Sequence, residues 1–365
     1  MNLFVLLTDL FIEGIFMFVV SESIEKLNSR KFGSLNFSQG SVGFEFSVDW
    51  IVEKFIPKKS FGVLYGPSGS LKSFLAVDLC CSLACGMSWG EYEVKEGAVV
   101  YVAGEGELGL KMRVKGWEIN SGREVENLYI LGQGMVMAEL QNQEALILAI
   151  KEIERQDNVK VELVVLDTLA RCYSGDENTS RDMTAFVNGC DNVKVMADTA
   201  VLCIHHSGRD ETRGARGSSA LRAACDFEYQ VKRKLNSNTI LLKNTKQKDG
   251  AEAPDIEMNF DIIELPAKDK NGENLTSLAK VSSTRVTERS DDVESPVLVA
   301  LKNKPDFEIT RAELRTALFN KGTLSDAQRK SMSRMLKNLE LQGRISIEQN
   351  SFNRASDDDK IFLIH

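Results

Sequence analysis

The chain has 365 residues, 43% of them hydrophobic, and carries a formal net charge of −8 with an isoelectric point near 5.3. That length predicts two domains, or one large α/β domain with an appendage. The acidic balance excludes a protein whose whole surface clamps duplex DNA, so any nucleic-acid contact has to be local. The seven cysteines (Cys80, Cys81, Cys85, Cys172, Cys190, Cys203 and Cys225) form no C-x-x-C pair and sit mostly in apolar runs. This suits small buried side chains in a reducing, cytoplasmic compartment, with neither a zinc site nor a disulfide framework.

In chain order, residues 1–45 read as an apolar segment followed by a linker. Residues 3–20 are strongly apolar, but Asp9 and Glu13 interrupt them and no basic stretch precedes them. Neither a signal peptide nor a membrane span is predicted, because carboxylates are too costly in a single-pass helix. A helix that packs on a neighbouring subunit and a start codon assigned too far upstream fit equally; a membrane anchor is the least favoured reading. Residues 28–43 are rich in Ser, Asn and Gly and read as linker.

From 46 to 265 apolar runs alternate with helical patterns. The runs 61–65, 98–103, 128–131, 163–166 and 201–204 are nearly continuous in hydrophobicity, as strands buried on both faces are. Helices fit at 73–85, 108–121, 142–155 and 182–197, giving a βαβ rhythm and a mostly parallel sheet. Two β-prone pieces, 227–231 and 239–243, read as a hairpin extending that sheet. Residues 266–292 turn polar and are expected to be a linker. A small α+β domain then fills 293–365, with helices at 293–303, 310–320 and 325–342 and strands at 344–348 and 360–364. Thr310 with Glu313 forms a capping-box signal and Gly343 is a helix stop. Three helices and a hairpin suggest a winged helix. Its third helix and flanks carry Lys321, Arg329, Lys330, Arg334, Lys337 and Arg344 against Asp326 and Glu340; DNA binding and protein contact fit that pattern equally.

The segment Gly66, Pro67, Ser68, Gly69, Ser70, Leu71, Lys72, Ser73 lies between a strand and a helix, the setting of a phosphate-binding loop. In such a loop backbone N–H groups wrap the β-phosphate, a lysine (Lys72) reaches the β/γ oxygens, and a hydroxyl (Ser73) ligates Mg²⁺. Leu71 replaces the second glycine of G-x-x-x-x-G-K-[ST], and a side chain there is expected to crowd the phosphates. Asp167 closes the run 163–166 and is placed to hold Mg²⁺ through water. Glu105, between two glycines just past the strand 98–103, is the candidate to orient or deprotonate the attacking water, with Glu107 in reserve. His205 and His206 end the strand 201–204, where a polar pair can hydrogen-bond the γ-phosphate; one of the two is expected to be structural. The loop 207–217 holds Arg209, Arg213 and Arg216 among glycines. It suits either DNA contact or insertion of an arginine into a neighbour's active site. Lys246 and Lys248 are a second source of such cations.

Taken together, 66–73, the Ala103-Gly104-Glu105 turn, Leu166 to Arg171 with Gly175-Asp176-Glu177-Asn178, His205-His206 and Arg216-Gly217-Ser218-Ser219 resemble the RecA-like ATPases related to RepA-type hexameric replicative helicases of plasmids, phages and mobile elements. The resemblance covers roughly 46–260. It implies a RecA-like P-loop core, ATP and Mg²⁺ at 66–73, Glu105 as base and Asp167 as the metal-associated carboxylate. It further implies His206 or His205 as γ-phosphate sensor, and Arg216 as a finger acting across a subunit interface, helped by Lys246 and Lys248, where the second position is often Arg. The implied partners are single-stranded DNA, further copies of the chain in a hexameric ring, and a replication initiator or primase. The expected function is an ATP-dependent DNA helicase. The rivals are a RecA-like ATPase of recombination, partition or regulation, and a non-catalytic initiator or helicase-loading adaptor.

Overall fold

The structure, a computed structural model, describes residues 29–41, 49–208, 215–286, 295–304, 306–319, 324–341, 343–348 and 356–364. The apolar segment 3–20 lies outside them. The chain divides into two units, at Thr284 and Arg285.

The first unit begins with a small antiparallel hairpin, β1 (Ser29–Phe32) and β2 (Leu35–Ser38), where a linker was expected. A second short pair, β3 (Trp50–Val52) and β4 (Ile56–Pro57), follows. The body then runs β5 (Phe61–Gly66), α1 (Lys72–Ala84), β6 (Ala98–Ala103), α2 (Glu107–Ser121), β7 (Leu128–Leu131), α3 (Leu140–Asp157), β8 (Val161–Asp167), α4 (Ser180–Met196), β9 (Ala200–His206), α5 (Ser219–Ala224), β10 (Phe227–Arg233), β11 (Thr239–Gln247), β12 (Ile256–Lys268) and β13 (Asn274–Arg285). These strands make one nine-stranded sheet in the order β13-β12-β11-β10-β5-β9-β8-β6-β7. The pairs from β10 to β7 are parallel, while β11 is antiparallel to both β10 and β12. This is the α/β architecture of a P-loop nucleotide-binding core.

The period-2 alternation of the central strands feeds two apolar cores, one on each face. Val99 and Tyr101 of β6 and Leu163 and Val165 of β8 join Leu75, Leu79 and Leu83 of α1 and Trp117 of α2. On the other face Val100, Val164 and Leu166 meet Ile150 of α3 and Met183, Phe186 and Val193 of α4. All seven cysteines are free, six of them are buried, and burial pushes their thiols up. No helix among the described residues is long and apolar enough to cross a membrane.

One correction concerns 266–292. Most of that stretch is not a linker: it completes β12 and forms β13. The hairpin reads as polar because few of its side chains are fully covered, with Leu265, Ser277 and Ala279 buried among exposed or half-buried neighbours. It is fastened to α1 through Asp78, which is 4% exposed. Asp78 accepts from Trp89 Nε1 at 2.8 Å and Trp117 Nε1 at 3.2 Å and pairs with Lys280 of β13 at 2.5 Å. Lys280 also lies over the Trp89 ring, 5.3 Å from its centroid.

The second unit holds α6 (Pro296–Lys302), β14 (Glu308–Thr310), α7 (Arg311–Phe319), α8 (Asp326–Leu341), β15 (Ile345–Glu348) and β16 (Lys360–Leu363). Its three strands form an antiparallel sheet in the order β14-β16-β15. Val297, Leu301, Leu314, Leu336, Ile345 and Ile361 build a separate core. The capping box is formed, with Glu313 N donating to Thr310 Oγ1 at 3.2 Å and Thr310 N donating back to Glu313 Oε2 at 3.0 Å. Gly343 follows α8 with φ +67°.

Removing the carboxylate of Asp78 strands Lys280 and two indole N–H groups in a nearly dry site. Asp78→Ala is expected to lower the unfolding free energy by about 3 kcal/mol in urea titrations, because breaking a buried ion pair leaves an uncompensated charge.

Candidate nucleotide-hydrolysis site

Strand register assembles the site. Gly66 at the end of β5 lies opposite His206 of β9, Asp167 of β8 lies opposite Ile204 of β9, and Ala103 of β6 lies opposite Asp167. The carboxyl ends of four parallel strands therefore bring the glycine loop, the His pair, Asp167 and the turn bearing Glu105 to one edge, where open α/β sheets bind ligands.

The loop 66–71 hands the chain from β5 to α1. Leu71 caps the helix with φ +66° and ψ 20°, and no side chain caps the first N–H groups of α1. Those groups are therefore left for an anion. Leu71 takes the left-handed conformation that explains why glycine is usual here. Its side chain is only 8% exposed and belongs to the α1 face core. The expected crowding of phosphate does not arise, since the side chain is turned into the protein. Lys72 Nζ donates to the carbonyls of Pro67 at 2.7 Å and Gly66 at 3.0 Å. Burial brings its pKa down to about 8, against the opposing pull of Asp167 and Glu105.

Asp167 is 6% exposed. Tyr101 donates to its Oδ2 at 2.6 Å, while Oδ1 is buried without a hydrogen-bond partner. Burial raises its pKa, and the hydrogen bond from Tyr101 holds that rise in check. An orphaned carboxylate oxygen beside a helix-start hydroxyl is a hard-oxygen donor set, which fits Mg²⁺ when phosphate oxygens and water complete the shell. Among the described residues no group of three His, Cys, Asp or Glu side chains is placed to hold a metal by itself, so substrate oxygens have to supply part of it.

Glu105 is exposed on the same recess, which Ser73, Tyr101, Arg113 and Asp167 also line. Its Oε1 accepts from Thr168 Oγ1 at 3.0 Å. Glu107 is instead bound to Lys111 of its own helix at 2.5 Å, which leaves Glu105 as the free carboxylate of the turn. The two histidines divide their roles. His206 is half-buried, and burial followed by the charge of Lys72 lowers its pKa, which favours the neutral ring. His205 is buried, donates from Nε2 to the Arg216 carbonyl at 2.8 Å, and is likewise held neutral chiefly by burial. His205 thus holds the root of the following loop, while its Nδ1 is buried without a hydrogen-bond partner.

The basic loop is hinged on this edge. Ser207 N donates to the Gly66 carbonyl at 3.1 Å, Arg216 N to the His206 carbonyl at 2.9 Å, and Ser207 bridges Ala215. Arg209 and Arg213 lie outside the described residues. Gly217 has φ +93°, and a Cβ there would meet the Glu177 carbonyl, which accepts from Ser218 N at 2.8 Å. The sequence pieces 175–178 and 216–219 are thus one contact. Arg216 is exposed and lies 3.3 Å from Glu177 through Nε. Lys246 and Lys248 are elsewhere. Gln247 is registered with Phe227, and Phe227 with Gly62, which puts both lysines at the opposite end of the sheet from Gly66. Lys246 Nζ donates to the carbonyls of Arg222 and Ala223 at the end of α5, and Lys248 pairs with Asp226 at 3.3 Å. Neither lysine reaches the phosphate loop of its own chain.

Sequence reasoning missed three contributors. Tyr101 was hidden in an apolar strand, and Thr168 follows Asp167 without a distinguishing pattern. Arg113 sits in a helix of ordinary composition, 5.0 Å over the Phe74 ring. The Tyr in the strand 98–103 was the one available signal, since a buried phenol needs a partner.

Residues 31–212 match the family model described as an AAA domain, which indicates a P-loop ATPase-type domain over this span. The match ends before Arg216, Lys246 and Lys248. A search of curated proteins found no match.

The low pKa of Lys72 has a measurable consequence. Its charge is complete below about pH 8 in the nucleotide-free chain and lost above, whereas a bound triphosphate favours the charged form. ATP affinity is expected to hold up to that pH and then fall by about tenfold per pH unit toward the ordinary lysine range. In equilibrium titrations Lys72→Arg, which stays charged, should bind more weakly but without that decline.

Proposed function

We propose that this chain is an ATP-dependent DNA helicase or translocase of RepA type, acting in replication of a mobile element or phage as a ring, with six copies as the expected number, on single-stranded DNA. The observation that carries the reading is the double attachment of the loop 207–217. Its base is bonded to the Gly66 carbonyl of the phosphate loop and to His205 and His206 at the strand edge. A change in what Lys72 and His206 contact is therefore felt at the root of a loop that bears arginines.

The catalytic roles follow from the side chains. Lys72 exchanges its carbonyl partners at Gly66 and Pro67 for phosphate oxygens, and the uncapped N–H groups of α1 accept the remaining negative charge. Ser73 and Asp167 would hold Mg²⁺, which supplies charge neutralisation at the transferred phosphoryl group. Glu105, oriented by Thr168, accepts a proton from the attacking water. His206, kept neutral, can donate to or accept from a terminal phosphate without adding a second cation beside Lys72. Arg216 is exposed and paired only at the surface with Glu177, so it is available to a neighbouring copy. Lys246 and Lys248, at the other end of the sheet, can serve a phosphate loop only from another copy.

The test is ATP hydrolysis measured against protein concentration and single-stranded DNA. Turnover should rise with both, and Glu105→Gln should lower kcat about 100-fold or more while leaving ATP binding intact. Lys72→Ala and Arg216→Ala should each be inactive alone, and mixing them should restore part of the activity, since some interfaces then combine an intact loop with an intact finger. A DNA-indifferent rate that is independent of concentration, with no recovery on mixing, would sink the motor. Equal activity of Glu105→Gln and the parent would favour the non-catalytic adaptor.

A further inference from the structure

In the second unit the charges are sorted, and the sorting decides between the two roles its sequence left open. Lys304 is paired with Glu313 at 2.8 Å, Arg311 with Asp359 at 2.9 Å, Arg315 with Asp357 at 2.8 Å and Lys360 with Glu308 at 2.8 Å. Lys304, Arg311, Arg315 and Lys360 are thus spent inside the unit. Those of α8 are not. Arg329, Lys330, Arg334 and Lys337 are all exposed, and none of the described carboxylates pairs with them. Helical spacing gathers Lys330, Arg334 and Lys337 on the side opposite Met332, Leu336 and Leu339, which are buried in the core, with Arg329 and Ser333 toward its flank. Glu340, at the C-terminal end of that side, is its one described carboxylate.

We propose that this face of α8 is a docking surface for the phosphate backbone and major groove of duplex DNA. A helix of 16 residues is about 24 Å long, enough to lie along a groove that admits an α-helix. Three cations on one side of the helix, with Arg329 on its flank, match a duplex that presents a phosphate charge about every 1.7 Å of its axis. Single strands are held differently, in grooves with aromatic rings on which bases stack. This face has no aromatic side chain, only Arg, Lys, Ser and Glu. An acidic protein would satisfy the charge, but a partner protein surface usually adds an apolar anchor at its centre. The apolar residues of α8 point into its own core. Between 293 and 365 cations outnumber carboxylates, although the chain as a whole carries −8. The duplex contact is thus local and opposed by the rest of the molecule.

The experiment measures fluorescence anisotropy of a short mixed-sequence duplex, and of one of its strands, with the full-length chain and no nucleotide over a salt series. The triple variant Lys330→Gln/Arg334→Gln/Lys337→Gln should weaken duplex binding at least tenfold and flatten the dependence of log K on log salt by roughly three, about one per lost contact. The single reversal Lys330→Glu, at an exposed helical position, should shift both in the same direction and guards against a folding defect in the triple variant. ATP hydrolysis without DNA should stay at the parent level in both. Unchanged duplex affinity and salt slope would overturn the proposal, as would loss of single-strand binding equal to that of duplex. Polyglutamate binding through the same residues with no duplex binding would also overturn it. A chain that hydrolyses no ATP yet shows this charge-dependent duplex binding would refute the motor and leave the surface standing.

Discussion

The register of β5 and β8 against β9, which lies between them, is the constraint on which the rest depends. Because the three strands are parallel and end together, the chain must turn from each of them at the same edge, and Gly66, His206 and Asp167 become neighbours although 140 residues separate the first two. A slip of one residue would carry His206 to the other face and exchange the two apolar cores. The hydrophobic alternation that fills both faces is therefore also what aims the polar groups. Stability and site geometry rest on the same side chains.

The site is built from groups the fold leaves short of partners. Asp167 keeps one oxygen without a hydrogen bond, α1 starts without a side-chain cap, and Lys72 is parked on carbonyls of its own loop. The bare Asp167 oxygen is a cost in the isolated chain, of the order of 1 to 3 kcal/mol for a buried unsatisfied group. All three suit the same kind of ligand, a polyphosphate with its divalent cation. The surroundings are correspondingly stiff: Tyr101 fixes Asp167, Thr168 fixes Glu105, and the Asp78 cluster ties α1 to α2 and the β12–β13 hairpin. Where the first unit tolerates unpaired polar groups, it does so beside well-packed neighbours.

Much of this was legible in the residues. Five of the six parallel strands stand out as unbroken apolar runs, four of them because both faces are buried, and each of the four helices read between them starts within two residues of its sequence-derived position. Gly66 to Ser73, Asp167, Glu105 and His206 were found through spacing and order, since a loop, a carboxylate and a histidine must each close a strand to meet. What failed to show was anything whose role depends on a distant partner. Leu265 to Arg285 alternates too weakly to read as a strand because its outer face is solvated, and Ser29 to Ser38 is too short and polar to declare a hairpin. Lys246 and Lys248 carry suitable charge, but only the pairing of β10 with β5 reveals that they stand at the far end of the sheet from their own phosphate loop.

Leu71 shows how magnitudes settle a point that a pattern leaves open. The left-handed conformation costs a side-chain-bearing residue about 1 to 2 kcal/mol, which is why glycine dominates at such positions. Burying a leucine side chain contributes about 1.5 to 3 kcal/mol. Since Leu71 is 8% exposed and lies within the core shared by α1 and the sheet, the gain meets or exceeds the strain. The loop therefore keeps the backbone shape that glycine would give it, and a phosphate approaching the N–H groups meets main chain rather than an isobutyl group. Departure from the glycine pattern changes how the turn is held in place and leaves intact what the turn presents.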